Sequence, residues 1–246
     1  MVRTLLVRGM LVGLLAGLVA FVYARIFAEP LIDQAIAFED HMRQLAGDPP
    51  EPELVSRAVQ STFGLLTGIA VYSTALGGIF SLVFAFAQGR LGRIGPRGTA
   101  AILAAAAFVV LFLVPQIKYP ANPPSIGDPE TIRSRTALYF GMIVWSIAAA
   151  VAALQLGRRL LHRLGLWNAS VCEGALYIAA VTLAIFVLPA VNEVPKDFPA
   201  TLLWQFRMAS LGGHVILLAT LGLVFGAWAE HQTVGVRRLA PYHARR

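Results

Sequence analysis

Charged residues are scarce in this sequence of 246 residues. Only 13% of the residues are charged and 57% are hydrophobic, whereas an ordinary soluble domain carries roughly 25% charged residues. The composition therefore excludes an ordinary soluble domain and indicates a membrane protein. Cysteine is also nearly absent, since Cys172 is the single one. One cysteine excludes an intramolecular disulfide framework and a metal cluster built from the cysteines of this chain alone.

The usual signatures of catalysis are missing as well. The sequence has no GxxxxGK[ST] stretch, so the chain is not expected to hydrolyse a nucleotide. HExxH and GxSxG are absent, and no pair of carboxylates lies inside an apolar run to suggest intramembrane proteolysis. We therefore predict that the chain is not an enzyme and that it holds no permanently bound cofactor.

Long apolar runs are what the sequence has in abundance. Crossing the bilayer core of roughly 30 Å takes about 17 to 25 apolar residues, and about six runs reach that length. The predicted spans are about 5–27, 61–87, 99–117, 136–156, 171–190 and 202–228. The sequence thus predicts an all-α polytopic membrane protein, with residues 1–246 forming a single membrane domain in the lipid bilayer.

The first apolar run has two interpretations. A cleaved secretory signal is one of them, because Arg3 and Arg8 precede the hydrophobic stretch. However, the run is longer than a usual signal core and no clean A-x-A site closes it, so we expect a retained span. Small residues also recur in the run at four-residue spacing, which is typical of close helix packing. Stripes of this kind are expected to form helix contacts at Gly9/Gly13/Gly17, Gly64/Gly68 and Gly222/Gly226.

The net charge of +7 is distributed unevenly along the chain. More than half of the Lys and Arg residues lie at the N-terminus, in the turns 88–98 and 157–170 and in the C-terminal tail. Glu173 and Glu230 are the only acids expected on that side of the membrane. The positive-inside rule therefore places both termini in the cytoplasm. Cytoplasmic anchoring explains the basic residues without nucleic acid, and no nucleic-acid partner is predicted.

The connections on the opposite side have two features of their own. Residues 31–46 place apolar positions in partial helical register between charged ones, which predicts an amphipathic helix at the outer surface. Stretches 51–57, 128–135 and 196–207 each pair an acid with a proline and reach an arginine where the next span starts. We interpret them as corresponding parts of three two-helix repeats. Convergent helix capping is the alternative.

Arg207 lies inside the sixth apolar run without an acid at helical spacing. A charge inside a membrane costs several kcal/mol unless it is paired or solvated, so we expect a partner from the preceding stretch, Glu193 first, or Asp197. That proline-rich stretch is expected to line a cavity at an outer mouth. Snorkelling of Arg207 to the outer headgroups is the alternative.

His214 lies about halfway along the same run, near the expected bilayer midplane. An imidazole at that depth is typical of a substrate path, a proton relay or an interhelical hydrogen bond, and a satisfied packing residue is the alternative. Seven residues separate Arg207 from His214, so both project from nearly the same helix face. We predict a polar path from Glu193 and Lys118 at the mouth, past Arg207, to His214. The remaining predicted transport-pathway residues are Asn192, Arg57 and Arg135.

The sequence resembles the CbtA family along essentially its whole length. The resemblance rests on "RGMLVGLLAGLVAFVYARIFAEP" at the start, "VSRAVQSTFGLLTG" at the entry to the second span, "FLVPQIKYPANPP" after the third and "LPAVNEVPKDFPATLLWQFRMASLGGH" before the sixth. It implies the membrane subunit of a bacterial cobalt transporter in the cytoplasmic (inner) membrane, associated with cobalamin synthesis. It also implies a small CbtB-type membrane partner, but it supplies no ligand set for individual residues.

Metal chemistry fits the resemblance in part. Divalent metals of borderline softness accept imidazole nitrogen and carboxylate oxygen, which the candidate metal ligands His214 and Glu193 supply. The cations at the mouth oppose a bare metal ion, and an anionic chelate or larger complex eases that conflict. We predict a permease component for the uptake of cobalt or a cobalt complex. A scaffold subunit without transport activity and a permease for another small solute are the alternatives.

Overall fold

The computed structural model of the chain describes residues 2–47, 49, 54–124 and 126–243, with side chains described as far as residue 231. Within these ranges the protein is 85% helical and has no strands. The long helices are α1 (Val2–Ala46), α2 (Arg57–Ala87), α3 (Pro96–Lys118), α4 (Pro129–Val187) and α5 (Ala200–His243). Each of these 5 helices contains a stretch long and apolar enough to cross a membrane. The prediction of an all-α membrane fold is confirmed.

Helix α4 folds back on itself at Gly165, whose φ of 73° and ψ of 170° interrupt the helical geometry. This φ lies in the left-handed region, which glycine adopts without the steric cost of a side chain. The indole N–H of Trp145 in the first arm donates to the carbonyl of Ala180 in the second arm, at 2.9 Å. The hydroxyls of Ser146 and Tyr177 also meet across the arms, at 2.8 Å. The two arms are therefore antiparallel neighbours.

The first arm of α4 contains the predicted fourth span, and the second arm contains the predicted fifth span up to Val187, where α4 ends. A straight helix of the 59 residues in α4 would be roughly 88 Å long, at about 1.5 Å per residue, and would far exceed the bilayer core. The 5 continuous helices differ from the six predicted spans because one residue, and not a loop, separates these two runs. Six spans and cytoplasmic termini stay predictions.

Helix α1 packs along α2 through positions that lack side chains. A Cβ atom added to Gly13 would clash with the carbonyl of Ser73, and one added to Gly9 would clash with the carbonyl of Gly77. The two backbones approach this closely because small residues face each other, as is common between membrane helices. The first predicted stripe is therefore a helix contact.

Of the other two predicted glycine stripes, one forms a close helix contact and the other does not. Gly222 and Gly226 of α5 face α3, and a Cβ atom added to Gly222 would lie 2.6 Å from the Cβ of Ala104. In contrast, a Cβ atom added to Gly68 would meet no atom within 4 Å. Small residues at four-residue spacing therefore marked two close helix contacts, while Gly64/Gly68 does not form a third.

The main core lies among α1, α2, α3 and α5. Phe225 of α5 stacks edge to face with Phe80 and Phe84 of α2, with ring centroids 5.6 and 5.0 Å apart. Alanines of α1 and α3 complete this buried cluster. Large apolar side chains such as Phe63 and Leu223 are instead exposed on the outside of the molecule. An exterior of this kind suits lipid acyl chains better than water.

Wider π-helical turns interrupt α1 at 24–28, α2 at 60–64 and α3 at 108–113. The turn in α3 directly precedes Pro115, whose ring has no N–H and would clash with the preceding turn of a regular α-helix. Beyond the turn in α1, the helix continues through Glu29–Ala46. The segment predicted as an outer amphipathic helix is therefore an extension of the first helix.

The extension of α1 reaches the connections 119–128 and 188–199. Ala35 of the extension belongs to a buried cluster with Ile126 of the first connection and Phe198 of the second. We call the end of the molecule where these three segments meet the loop end. The cavity described below lies there.

Candidate functional site

A cavity of about 570 Å³ lies at the loop end, between the end of α3, both connections, the first turns of α4 and part of α5. Its volume falls within the roughly 300–1,000 Å³ that is usual for small-molecule sites. The polar residues lining it are Gln116, Tyr119, Asn122, Arg135, Thr136, Tyr139, Asn192, Glu193, Arg207, Ser210 and His214. Among the predicted pathway residues, Lys118 and Arg57 do not line it. The other five predicted pathway residues line this one cavity: Arg135, Asn192, Glu193, Arg207 and His214.

Proline explains why the chain leaves helical geometry around the cavity. The connections contain "PANPP" at 120–124 and "PAVNEVPKDFP" at 189–199. Proline has no N–H to donate, and it disfavours the α conformation of the residue before it. Some carbonyl groups in these connections therefore have no helical partner. In a membrane protein, such irregular backbone is tolerated where it lines a cavity.

Arg207 reaches from α5 to the connection after α3. Its Nε donates to the carbonyl of Ala121 at 3.3 Å, and its Nη2 donates to Oδ1 of Asn122 at 3.0 Å. The described part of the chain shows no ion pair between Arg207 and a carboxylate. The predicted pairing with Glu193 is wrong, because a carbonyl and an amide oxygen take the place of the carboxylate. Asn122 was not among the predicted site residues.

Glu193 joins the connection 188–199 to the start of α4. Its Oε2 accepts the backbone N–H of Asp128 at 2.9 Å and lies 3.2 Å from Nε of Arg135, an ion pair without hydrogen-bond alignment. The side chain of Thr131, followed by the N–H of Asp128 and the charge of Arg135, lowers the pKa of Glu193, because each favours the ionised carboxylate. The charges of Glu193 and Arg135 therefore compensate each other.

The position of Arg135 depends on a glycine. A Cβ atom added to Gly127 would clash with the guanidinium of Arg135, and the φ of 124° at Gly127 is one that side chains rarely allow. The Nη2 of Arg135 also donates to the carbonyl of Asp128, at 3.2 Å. The turn that precedes α4 thus holds Arg135 beside Glu193.

His214 is the lining residue of α5 that lies farthest from the start of this helix. Its Nδ1 lies 2.8 Å from the carbonyl of Ser210, and its ring stacks on Phe112 of α3 with centroids 4.1 Å apart. Because a carbonyl oxygen only accepts hydrogen bonds, Nδ1 carries the hydrogen, and Nε2 of the neutral ring keeps its lone pair. His214 therefore faces α3 and offers Nε2 to a ligand.

Lys118 caps the second arm of α4. Its ammonium group donates to the carbonyl of Ile185 at 2.8 Å, a carbonyl that would bond to the N–H of residue 189 if the helix continued. Residue 189 is proline and has no N–H, so Lys118 satisfies a carbonyl left unpaired at a helix C-terminus. The structure thus gives Lys118 a capping contact and does not bring it into the predicted path.

Arg57 attaches the start of α2 to the extension of α1. It forms ion pairs with the buried Glu29 and with Asp33, whose Oδ1 lies 2.9 Å from Nε of Arg57. These contacts bridge two helices outside the cavity lining. Arg57 therefore has carboxylate partners of its own and does not contribute to the predicted mouth.

The predicted metal ligands His214 and Glu193 line the same cavity but do not make a complete metal centre. Among the residues that the structure describes, no group of three or more His, Cys, Asp or Glu side chains is placed to hold a metal ion. Glu193 is also engaged by Arg135. The donor set is better suited to polar or anionic groups than to a bare metal ion.

Comparison with known proteins bears on this cavity. No curated protein sequence and no solved structure matches the chain. A family model described as "Probable cobalt transporter subunit (CbtA)" matches residues 2–230, a range that includes every residue lining the cavity. With its long apolar helices the chain is a multi-pass membrane protein, and it belongs to the CbtA family of probable cobalt transporter subunits.

Proposed function

We propose that this chain is the permease component of a cobalt uptake system, and that cobalt or a cobalt complex passes through the cavity at the loop end. The observation that carries the proposal is that Arg207 and His214, both inside an apolar helix, line one cavity in a member of a cobalt transporter family. Ionisable groups inside membrane helices are costly and characteristically mark substrate paths.

The spacing of Arg207 and His214 gives two successive positions along the proposed path. Arg207 and His214 lie on one face of α5, roughly 10 Å apart along its axis. Ser210 lies between them and accepts a hydrogen bond at its Oγ from Nε2 of Gln116 in α3, at 3.3 Å. Polar groups thus continue from the loop end into the apolar part of the molecule. In this proposal cargo enters at Arg207 and proceeds toward His214.

The remaining parts of the proposal concern the system around the chain. The family description names a subunit, which supports a partner, and we propose a small CbtB-type membrane protein for that role. The proposed location is the bacterial cytoplasmic (inner) membrane, and the proposed use of the metal is cobalamin metabolism. The chain itself would catalyse no reaction and hold no permanent cofactor, and an ion gradient or the partner would supply the energy.

Uptake of radioactive cobalt into proteoliposomes tests the proposal. Vesicles would contain the chain alone, the CbtB-type partner alone, or both. Uptake above the level of partner-only vesicles is the expected result. If the two proteins form a complex and insert but move no cobalt, in any chemical form offered, the chain is a scaffold subunit and the proposal fails.

A further inference from the structure

The charge of the cavity lining restricts the kind of cargo that can bind there. Its charged residues are Arg135, Glu193 and Arg207. Arg135 and Glu193 neutralise each other across 3.2 Å, whereas the described contacts of Arg207 are to uncharged oxygens. The lining therefore carries the uncompensated positive charge of Arg207. A bare divalent cation is repelled by that charge, and an anion is attracted to it.

The hydrogen-bonding capacity of Arg207 also points to an anion. A guanidinium group has five N–H donors in a planar fork that matches a carboxylate. The contacts to Ala121 and Asn122 engage Nε and Nη2, which leaves the two N–H groups of Nη1 and the second N–H of Nη2 for a ligand. Because Oδ1 of Asn122 accepts from Arg207, the NH₂ group of this amide also remains as a donor.

His214 supplies a nitrogen that can bind the metal of such an anionic complex. Its Nδ1 is engaged by the carbonyl of Ser210, so the neutral ring presents Nε2, a good ligand for divalent cobalt. A single imidazole cannot replace the full coordination shell of a metal, and the described residues form no group of three metal-ligating side chains. A metal that binds here must bring most of its ligands with it.

Resting on the proposed transport function, we propose that cobalt occupies this cavity as a small, negatively charged chelate with oxygen donors, of the polycarboxylate class. Carboxylate oxygens of the chelate contact Arg207 and the amide of Asn122, and the metal faces Nε2 of His214. The cavity of about 570 Å³ has the size of a site for such a small molecule. Arg207 thereby selects the complex over the bare ion.

Proteoliposomes of phosphatidylcholine, containing the chain and its partner, test this proposal without anionic lipid headgroups that would compete for Arg207. Radioactive cobalt is supplied in a weakly coordinating buffer, alone or with increasing citrate, and labelled citrate is followed in parallel. We expect cobalt uptake to rise with citrate, and labelled citrate to enter only when cobalt is present.

Each other outcome overturns a defined part of the argument. If bare cobalt enters and citrate slows it, the chelate proposal is wrong and the cobalt permease remains. Entry of labelled citrate at the same rate without cobalt also overturns the chelate proposal. No cobalt uptake in any arm overturns the permease itself.

Variants of Arg207 test whether this residue selects the anionic cobalt complex or is needed only for folding. Arg207→Gln is expected to lower citrate-dependent uptake at least about tenfold, since a lost hydrogen bond to a charged group is worth that factor or more, while Arg207→Lys retains part of it. Arg133→Gln is the matched control, because Arg133 is an exposed arginine near the start of α4 and does not line the cavity. If Arg207→Gln does not fold, binding is read on the unaltered protein as a rise in Tm with cobalt and citrate together. Equal rises with cobalt alone would contradict the proposal.

Discussion

His214 is the residue whose role can be tested most directly, because its packing contact and its free nitrogen can be separated. His214→Phe keeps an aromatic ring to stack on Phe112 but removes Nε2. We expect this variant to insert and fold with nearly unchanged Tm and to lose at least about tenfold in cobalt uptake, as expected for removal of a ligand contact. Uptake and Tm are measured on the same preparation. Normal transport by His214→Phe would show that the histidine serves helix packing alone.

Contacts between side chains can be predicted from the sequence when the two residues lie close together in the chain, but not when they lie far apart. The seven-residue spacing of Arg207 and His214 places them on one face because helix periodicity is local. The hydrogen-bond partner Asn122 lies 85 residues from Arg207, and no local pattern encodes that distance. Glu193 was therefore assigned to Arg207 by proximity in sequence, whereas the fold places it beside Arg135.

At the scale of helices, the contact of Lys118 with the end of α4 leads to a prediction about stability. Lys118→Met removes the donor to the partly buried carbonyl of Ile185 and is expected to cost about 1 kcal/mol, the lower end of the usual penalty for an unsatisfied acceptor. In a Pro189→Ala background residue 189 regains an N–H that can satisfy the same carbonyl. The cost of Lys118→Met should then largely disappear.

A double-mutant cycle measures this coupling from Tm values of the four proteins at one scan rate. An equal loss of stability in both backgrounds would refute the capping role of Lys118. The sequence analysis places Lys118 at the mouth, whereas the structure places it at the end of α4. The sequence alone does not connect Lys118 to an orphan carbonyl 67 residues away.

The close contact between α1 and α2 leads to a second prediction about stability. Gly13→Ala places a Cβ atom against the carbonyl of Ser73 and should destabilise the protein by about 1–3 kcal/mol, as overpacking does. Gly68→Ala is the matched control in α2, since its Cβ atom meets nothing within 4 Å. Alanine there should be neutral or stabilise by up to about 1 kcal/mol through its higher helix propensity. Thermal unfolding in one detergent compares the two. Equal Tm values would mean that α1 and α2 do not pack this closely.

The same glycines show why sequence predicted some helix contacts and not others. Small residues at four-residue spacing describe a surface that permits close approach. They do not reveal whether another helix lies on that surface. Gly9 and Gly13 are covered by α2, while Gly68 is open, so the spacing alone is not sufficient for a helix contact.

At the scale of the whole molecule, α4 is separate from the block formed by α1, α2, α3 and α5. The main core includes residues of those four helices. Both arms of α4 meet the rest of the protein mainly at the end of α3, through the cluster of Val114, Met142 and Val181. The cavity lies between the block and α4. A relative movement of these two parts would therefore change the shape of the cavity.

The number of membrane crossings follows from how α4 lies in the bilayer. Arg158, Arg159 and Arg163 come just before Gly165. Arg90 and Arg93 lie in the turn between α2 and α3, and Arg97 lies at the start of α3. Arg97 lies 2.5 Å from Glu230 in the C-terminal half of α5, so the start of α3 lies beside that half of α5. Basic residues concentrate on the cytoplasmic side of membrane proteins. Together these positions favour two crossings by α4, with the Gly165 turn in the cytoplasm and the connection 188–199 outside.

Single-cysteine labelling tests this arrangement, and the near absence of cysteine makes the experiment simple. In a Cys172→Ser background, Leu166→Cys places a thiol beside the Gly165 turn, where Leu166 is 74% exposed, and Ala190→Cys places one in the connection after α4, at another exposed position. If the second arm of α4 crosses the bilayer as predicted, a membrane-impermeant maleimide labels Leu166→Cys only in inside-out vesicles and Ala190→Cys only in right-side-out vesicles. The cysteine-free protein gives the background. Labelling of both positions from one side would mean that this arm does not cross, and the count of six spans would then be wrong.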